Sequence, residues 1–375
     1  MNGMVHLAAR NLFQGKVRLL MSTGGLALAL LLVLALDGIW MGSESRVSAY
    51  IDRSGADVWV AQAGVRNMHM ASSTLPAAMA DRVRSVSGVA SVTPILYLLS
   101  TFDTGRDTHV AYVIGLPPEP AAGGPWRVVA GNGVPGPGET VIDRTVAESS
   151  GIGLGGQVDI LNSHFRVVGL TEGTLSIVNS IAFISMADFA RIRRNPETVS
   201  YLLVKVVSGQ SPDRVAAAIE GEVGNVSALS RPAFSAEERK VIAGMSTDIV
   251  SIMNLIGLLI GLAVMGLSVY TSTLARRAEY GVLKAIGASN RDLYGVVLVQ
   301  AAAGLILGLA VSILLTLLLS MAVPLVKPSI AMEMSLGSVI KVASMALVIV
   351  AAAAVLPVRQ IASLDPAMVF RRKVS

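Results

Sequence analysis

The side chains that most often carry catalysis or bind metals are sparse and scattered in this sequence. Three of the four histidines, His69, His109 and His164, stand far apart without His-x-His or His-x-x-x-His spacing, and there is no cysteine. Protein metal sites usually draw on several such ligands at short spacings. No Gly-x-Ser-x-Gly string occurs that would form the nucleophile elbow of a hydrolase. The sequence therefore assigns no catalytic residue and no metal site.

The glycine-rich stretch 131–138 is the place where a phosphate-binding loop could be suspected. A P-loop requires Gly-x4-Gly-Lys-Ser/Thr, so that backbone amides and one lysine surround the phosphates. This stretch has no lysine, and Pro135 and Pro137 remove two of the amides. We interpret it as a surface loop and expect no cofactor in this chain. If the protein uses ATP, another chain binds it.

The most informative stretch is a charged segment that separates two long apolar runs. It extends from Arg276 to Asp292. Tyr280, Leu283 and Ile286 recur at helical spacing, and Gly287 suits the position just after a helix end. The segment is therefore predicted to contain a short helix outside the bilayer.

The connection that holds this short helix is rich in positive charge, and Ser289 with Asp292 forms a capping box for the next helix. By the positive-inside rule, basic residues close to membrane ends mark the cytoplasmic side. Here they are Arg276, Arg277, Lys284 and Arg291. An ordinary positive loop that only fixes topology is the alternative to a loop on which a cytoplasmic partner acts.

These residues resemble a known family, the MacB/FtsX/LolC-like (type VII) permease subunits of ABC transporters. The family pattern Arg-x-x-Glu-x-Gly-x-Leu-x-Ala-x-Gly-Ala is matched by Arg276, Glu279, Gly281, Leu283, Ala285, Gly287 and Ala288. The resemblance implies that this is a coupling helix, which docks on a separate ATPase subunit. It implies an ATPase contact through Glu279, Gly281, Leu283, Lys284 and Gly287. ATP and magnesium are then expected on the partner ATPase.

Both ends of the chain extend the resemblance. Ala9-Arg10-Asn11-Leu12 lies in an amphipathic segment, 1–18, suited to the cytoplasmic interface. The tail, 359–375, contains an Asp365-Pro366 pair and ends in apolar and basic residues, as is typical of the family. We expect headgroup or topology anchors at Arg10, Lys16, Arg18, Arg276, Arg277, Arg291, Arg371 and Arg372.

Composition indicates a chain that partly spans a membrane and partly folds in water. Of its 375 residues, 53% are hydrophobic and only 15% charged, which is too apolar for an average soluble domain. The net charge of +5 comes from residues near membrane ends, so it indicates orientation and lipid headgroups and disfavours nucleic acid as a partner. Without cysteine, an extracytoplasmic domain depends on its core alone.

Four apolar runs, each long enough to span a bilayer, predict the fold class. It is an α-helical membrane protein with four transmembrane helices and an α+β extracytoplasmic domain inserted between the first and second. The predicted segments are transmembrane helices at 19–41, 248–271, 295–326 and 339–358, the extracytoplasmic domain at 42–247, a cytoplasmic coupling loop at 272–294, and a short outer loop at 327–338. A cleaved signal peptide is the alternative for the first run, but that run is long and lacks a clear cleavage site.

Within the extracytoplasmic domain, short apolar runs and turn residues predict a strand-rich fold. We expect a strand across Val89–Phe102, a helix across Leu75–Ser87, an amphipathic helix across Pro212–Val223 and a loop from Pro117 to Gly138. About 200 residues can bury a core of their own.

Few polar groups are expected inside the spans. Asp37 is placed near the outer interface, as a cap rather than a proton relay, and Gln300 is the other polar group considered. Small-xxx-small pairs occur at Gly257/Gly261 and Gly304/Gly308, and they suit either packing within the chain or a dimer seam. A conduction path of polar residues is therefore poorly supported.

The resemblance to this permease family implies two alternative functions. One is export of a drug, lipid, lipoprotein or peptide, driven by movement of the extracytoplasmic domain rather than by a bilayer pore. The other is regulation, in which that domain mechanically activates a cell-wall hydrolase. A membrane scaffold without an ATPase is the third alternative. The expected partners are an ABC ATPase, a second permease subunit, membrane lipids, and a periplasmic adaptor or hydrolase.

Overall fold

The computed structural model describes residues 16–176, 180–327 and 330–362. They form two compact units. One consists of Gly42–Ser246 with Val326–Ala331, and the other takes the described residues up to Met41, Thr247–Leu325 and those from Met332 onward. We call the first the ectodomain and the second the helical unit.

The helices are numbered along the described chain. Some are long and apolar, and the others are short. They are α1 Lys16–Val47, α2 Ala49–Arg53, α3 Met79–Arg84, α4 Arg144–Ser150, α5 Met186–Arg193, α6 Pro212–Val223, α7 Arg231–Ala275, α8 Arg277–Ala285, α9 Asn290–Val326 and α10 Leu336–Ala362. Within the described residues, four stretches are long and apolar enough to cross a membrane: Thr23–Val47, Ser251–Ala275, Leu293–Val326 and Leu336–Ala353.

The helical unit is held together by an apolar core to which all four of these helices contribute, and in which glycines permit close contact. Leu26, Leu30 and Val33 of α1 pack with Met265, Leu305 and Ile349. A Cβ added at Gly257 would lie 2.2 Å from Cγ2 of Val33, and one added at Gly261 would lie 2.6 Å from Cδ1 of Ile349. These small residues therefore serve packing within the chain.

The ectodomain is built on one 10-stranded sheet. Its strands are β1 Val58–Gln62, β3 Val89–Asp103, β4 Thr108–Leu116, β5 Val128–Gly131, β6 Glu139–Asp143, β7 Gln157–Ile160, β8 Ser163–Thr171, β9 Ser180–Ser185, β11 Tyr201–Val206 and β12 Val226–Ser230. A separate antiparallel pair joins β2 Leu75–Pro76 to β10 Thr198–Val199. The order across the sheet is β12-β1-β11-β3-β4-β9-β6-β8-β5, and β7 pairs with β3 and β8.

Three apolar clusters fill the ectodomain because its strands alternate side chains between two faces. One contains the aromatic side chains of Tyr50, Trp59, Tyr201 and Phe234. The second packs α3 and α6 against β1 and β11, and the third packs α4 and α5 around β4, β6, β8 and β9. This mixture of helices and a largely antiparallel sheet confirms the predicted α+β fold between the first and second long helices.

Two local predictions in the ectodomain were wrong. The stretch Leu75–Ser87 begins as strand β2 and becomes helical only at Met79, because Leu75 pairs with Val199. The stretch Pro117–Gly138 contains β5, which pairs with β8. In both cases a partner distant in the sequence decides the backbone conformation.

Several predictions lie outside the described residues. They concern the interfacial segment with Arg10, the tail with Arg371 and Arg372, and the side chains of Lys16, Arg18, Arg277, Asp292 and Gln300.

Candidate functional site

The predicted coupling segment folds as the short helix α8, bounded by a break at each end. Arg276, with φ −105° and ψ 14°, separates α8 from α7. At the other end Gly287 has φ +101°, a left-handed conformation that glycine adopts without strain. The Ala288 N–H donates to the Leu283 carbonyl (2.9 Å) and the Gly287 N–H to the Lys284 carbonyl (3.1 Å). These two bonds form a Schellman motif, so the sequence itself ends the helix here.

One face of α8 is buried. Tyr280 packs with Leu293 and Val297 of α9, and Leu283 and Val269 lie against the same cluster. Burial raises the pKa of the Tyr280 phenol, because the charged phenolate would be poorly solvated there. The aromatic ring thus anchors α8 to the first turns of α9.

The other face of α8 is exposed and carries apolar side chains. Glu279, Val282 and Ile286 follow one another at spacings of three and four residues and share this face. Val282 is 47% exposed and Ile286 is 75% exposed. Neither residue belongs to a candidate span. A short apolar ridge beside a carboxylate is suited to docking against another protein.

The structure distributes the predicted contact residues over both faces. Glu279 and Gly287 are exposed, Gly281 is buried, and Leu283 and Lys284 are half-buried. Arg276 is half-buried and Arg291 is exposed. Val282 and Ile286 were not predicted as contacts, although their helical spacing from Glu279 is visible in the sequence.

Inside the helical unit, the structure pairs Asp37 with a residue that the sequence reasoning passed over. The Lys341 ammonium Nζ lies 2.5 Å from Oδ1 of Asp37. Lys341 belongs to the fourth candidate span. A lysine in such a helix is expected to have a partner, and Asp37 provides it.

No group of three or more histidine, aspartate or glutamate side chains in the described residues could hold a metal ion. His109 instead contacts Ser150, and His164 pairs with Asp159 at the surface.

Comparison with known families identifies the chain. Residues 19–222 match the MacB-like periplasmic core domain, and residues 251–366 match the FtsX-like permease C-terminal domain. The first match alone covers more than half of the chain. The chain belongs to the MacB/FtsX-like family of ABC transporter permeases. Membership of this family indicates a non-catalytic membrane subunit with an extracytoplasmic domain.

Curated relatives align with the whole chain. Proteins described as uncharacterized ABC transporter permeases, from Mycobacterium bovis and Mycobacterium tuberculosis, are each 24% identical to it over 369 residues. Each alignment covers 98% of this chain and 99% of the relative.

Two solved structures are similar to part of the chain. The periplasmic region of MacB from Actinobacillus actinomycetemcomitans is 12% identical, with a TM-score of 0.37, over 49% of this chain and 94% of that one. The extracellular domain of the transporter YknZ from Gram-positive bacteria is also 12% identical, with a TM-score of 0.35, over 46% of this chain and 99% of that one.

Proposed function

We propose that the chain is the permease subunit of an ABC transporter that couples ATP hydrolysis on a separate ATPase to movement of its own extracytoplasmic domain. Export of a drug, lipid, lipoprotein or peptide is the favoured outcome of that movement. Two permease subunits pair in the cytoplasmic membrane, with both termini and α8 on the cytoplasmic side. ATP and magnesium bind to the partner ATPase.

The exposed face of α8 is the observation that carries this proposal. Glu279, Val282 and Ile286 form a ridge outside the candidate spans, while Tyr280 holds the opposite face on α9. A force applied to the ridge would therefore reach α9 through packed side chains. Lys284 and the backbone around Gly281 and Gly287 complete the proposed ATPase contact, and Arg276, Arg277 and Arg291 anchor its flanks to headgroups.

The charged residues of the candidate spans argue against a conduction path. Asp37 and Lys341, charged residues within candidate spans, pair with each other. A pair that neutralises itself is better suited to structure than to carrying a polar substrate.

The test is copurification of the tagged chain from its native host in nanodiscs, followed by an ATPase assay of the eluate. We expect an ABC ATPase to copurify, and its stimulation to be lost when Glu279→Lys and Lys284→Glu are combined. The matched control combines Glu237→Lys and Lys240→Glu, which reverses an exposed helical ion pair of the ectodomain.

Stimulation that survives the α8 reversal would refute the contact. Loss of stimulation in the control as well would show that the effect is not local to α8. Regulation of a cell-wall hydrolase is the alternative function, and recovery of such a hydrolase in the same eluate would favour it over export.

A further inference from the structure

One edge of the long strand β3 is left open in its middle. Along this edge β3 pairs first with β11, the last pair being Ile95 with Tyr201, and then with β7, starting at Phe102 with Ile160. On the opposite edge β4 pairs continuously from Leu96 to Asp103. In the described part of the chain, no strand pairs with Leu96–Thr101 on the β11 side.

The backbone groups that face this gap can be identified from the bonds that border it. The Ser200 N–H donates to the Ile95 carbonyl (2.8 Å), and the Tyr97 N–H donates to Oγ of Ser200 (2.9 Å). In a strand, alternate residues direct their N–H and C=O groups to the same edge. The next residue in that series is Leu99, so its N–H and carbonyl point into the gap.

A cavity of about 360 Å³ lies along the open edge, and Leu96–Leu99 form part of its lining. Phe189 of α5, Val199 of β10 and the segment Met68–Thr74 add further apolar or small side chains. Polar side chains come from Arg193, Asn195, Thr198 and Ser200. Leu99 is 41% exposed and Met70 is 65% exposed. The volume is in the range of protein ligand sites. The lining is mixed, with polar and apolar side chains in similar numbers.

The charge of the lining is one-sided. It contains Arg193 but no aspartate or glutamate, and burial lowers the pKa of His69, so Arg193 supplies the positive charge. The side chain of Arg193 is exposed and forms no hydrogen bond or ion pair with any residue that the structure describes. An occupant with a carboxylate would therefore complement this cavity.

We infer that the cavity is a docking site for an extended peptide segment that carries a carboxylate and adds as a short strand against Leu99. Main-chain hydrogen bonds to an open sheet edge supply affinity in this mode of recognition, and pockets for alternate side chains supply selectivity. Alternate side chains of the peptide would contact Leu99 and Phe189, and its carboxylate would pair with Arg193. This inference concerns only the ectodomain and does not depend on coupling to an ATPase.

The test uses the full chain in nanodiscs, without nucleotide, and a fluorescein-labelled peptide of sequence Thr-Val-Glu-Val-Thr, followed by fluorescence anisotropy. Two further peptides are N-methylated on alternate residues, one on the odd and one on the even set. Only one set of amides can face the sheet edge. We expect saturable binding of the parent, a loss of about tenfold or more for one methylated peptide, and little change for the other.

The Arg193 contact is tested by Arg193→Glu, with Arg194→Glu as its matched control. Arg194 is the next residue, is exposed and does not line the cavity. We expect Arg193→Glu to weaken binding about fivefold or more, because a rim attraction becomes a repulsion, and Arg194→Glu to change it much less. Replacing the peptide's glutamate by glutamine should remove the difference between the two variants.

Three results would overturn the inference. They are absence of saturable binding up to about 1 mM peptide, equal binding of both methylated peptides, and equal effects of the two arginine reversals. If dodecanoate binds in an Arg193-dependent manner while the peptide does not bind, the cavity is a site for anionic amphiphiles instead.

Discussion

Lys341 and Asp37, which lie far apart in the sequence, form an ion pair between α10 and α1, with Nζ 2.5 Å from Oδ1. Removing one member of a partly buried ion pair destabilises the protein, because the remaining charge stays desolvated and has lost its partner. The pair therefore fixes the register of the fourth helix against the first.

We expect Lys341→Met and Asp37→Asn each to lower the stability of the helical unit, by about 1–3 kcal/mol. The exchanged double variant, Asp37→Lys with Lys341→Asp, should recover part of the loss. Thermal unfolding in nanodiscs measures these effects, and the double variant Asp37→Asn with Lys341→Met completes a double-mutant cycle. If the effects of the two single variants simply add, the pair is not coupled.

Tyr280 is expected to be the residue that transmits force from α8 to α9. Tyr280→Ala should cost about 3 kcal/mol of local packing, because it leaves a cavity against Leu293 and Val297. ATPase stimulation should then fall and amide exchange in residues 277–288 should speed up. Tyr280→Phe keeps the ring and is the control. Equal loss in both variants would assign the effect to the hydroxyl group.

The exposed ridge of α8 gives a separate prediction. Val282→Ser and Ile286→Ser together should weaken ATPase binding about tenfold or more, since apolar contacts at the centre of a docking face carry much of its affinity. Both side chains are largely exposed in this chain, so its thermal stability should hardly change. Leu298→Ser, on an exposed face of α9, is the control. Unchanged affinity would remove the ridge from the contact.

Helix packing at Gly257 can be tested by substitution, with a second glycine that has free space around it as the control. Gly257→Val should destabilise the helical unit by about 1–3 kcal/mol, because even a Cβ collides with Val33. A Cβ added at Gly266 meets nothing within 4 Å, so Gly266→Val is the control. Thermal unfolding compares the two. Similar melting temperatures would mean that Gly257 is not a packing contact.

Glu238 should make the ectodomain less stable as the pH rises. Burial raises the pKa of its carboxyl to about 7, although the N–H groups of Met68 and His69 donate to Oε2 and favour the charged form. The unfolded chain ionises near pH ~4.3. The native state therefore holds the proton more tightly, and stability is lost between that pH and about 7.

We expect this loss to reach roughly 3 kcal/mol and to vanish in Glu238→Gln. Melting temperatures at pH 5 and pH 8 measure it, and their difference cancels any pH-independent effect of the amide. The control is Glu237→Gln, because the pKa of Glu237 is lowered by its bond to Lys240. A slope that persists in Glu238→Gln would assign the pH dependence to other groups.

The sequence alone predicts the features that neighbouring residues determine. It does not predict the features that depend on residues far apart in the chain. The end of α8 at Gly287 was predictable, because a single residue type permits that backbone conformation. Ile286 has helical spacing from Tyr280 and Leu283, yet it is exposed, because six residues place it about a third of a turn away from Tyr280, on the side of Val282. A three-residue spacing that is repeated moves off one helix face.

Features that need two distant segments could not be predicted. A lysine in an apolar helix indicates a partner, but only the fold shows that the partner of Lys341 is Asp37. The cavity beside Leu99 exists because β11 and β7 pair with the two ends of β3 and leave its middle open. Hydropathy predicted β3 as a strand, but strand pairing over long sequence separations is not encoded in any local pattern.

The position of β1 has a consequence for biogenesis. β1 lies between β11 and β12, so both of its neighbours come from the last part of the ectodomain. During synthesis, the strand that carries Trp59 emerges early. It has no neighbour until β11 follows, and its second edge stays unpaired until β12, which ends at Ser230, has followed. Such edges invite aggregation. Chaperones and quality-control proteases should therefore act on nascent chains that stall before β12. The domain is protected from them only once β12 has paired, late in synthesis.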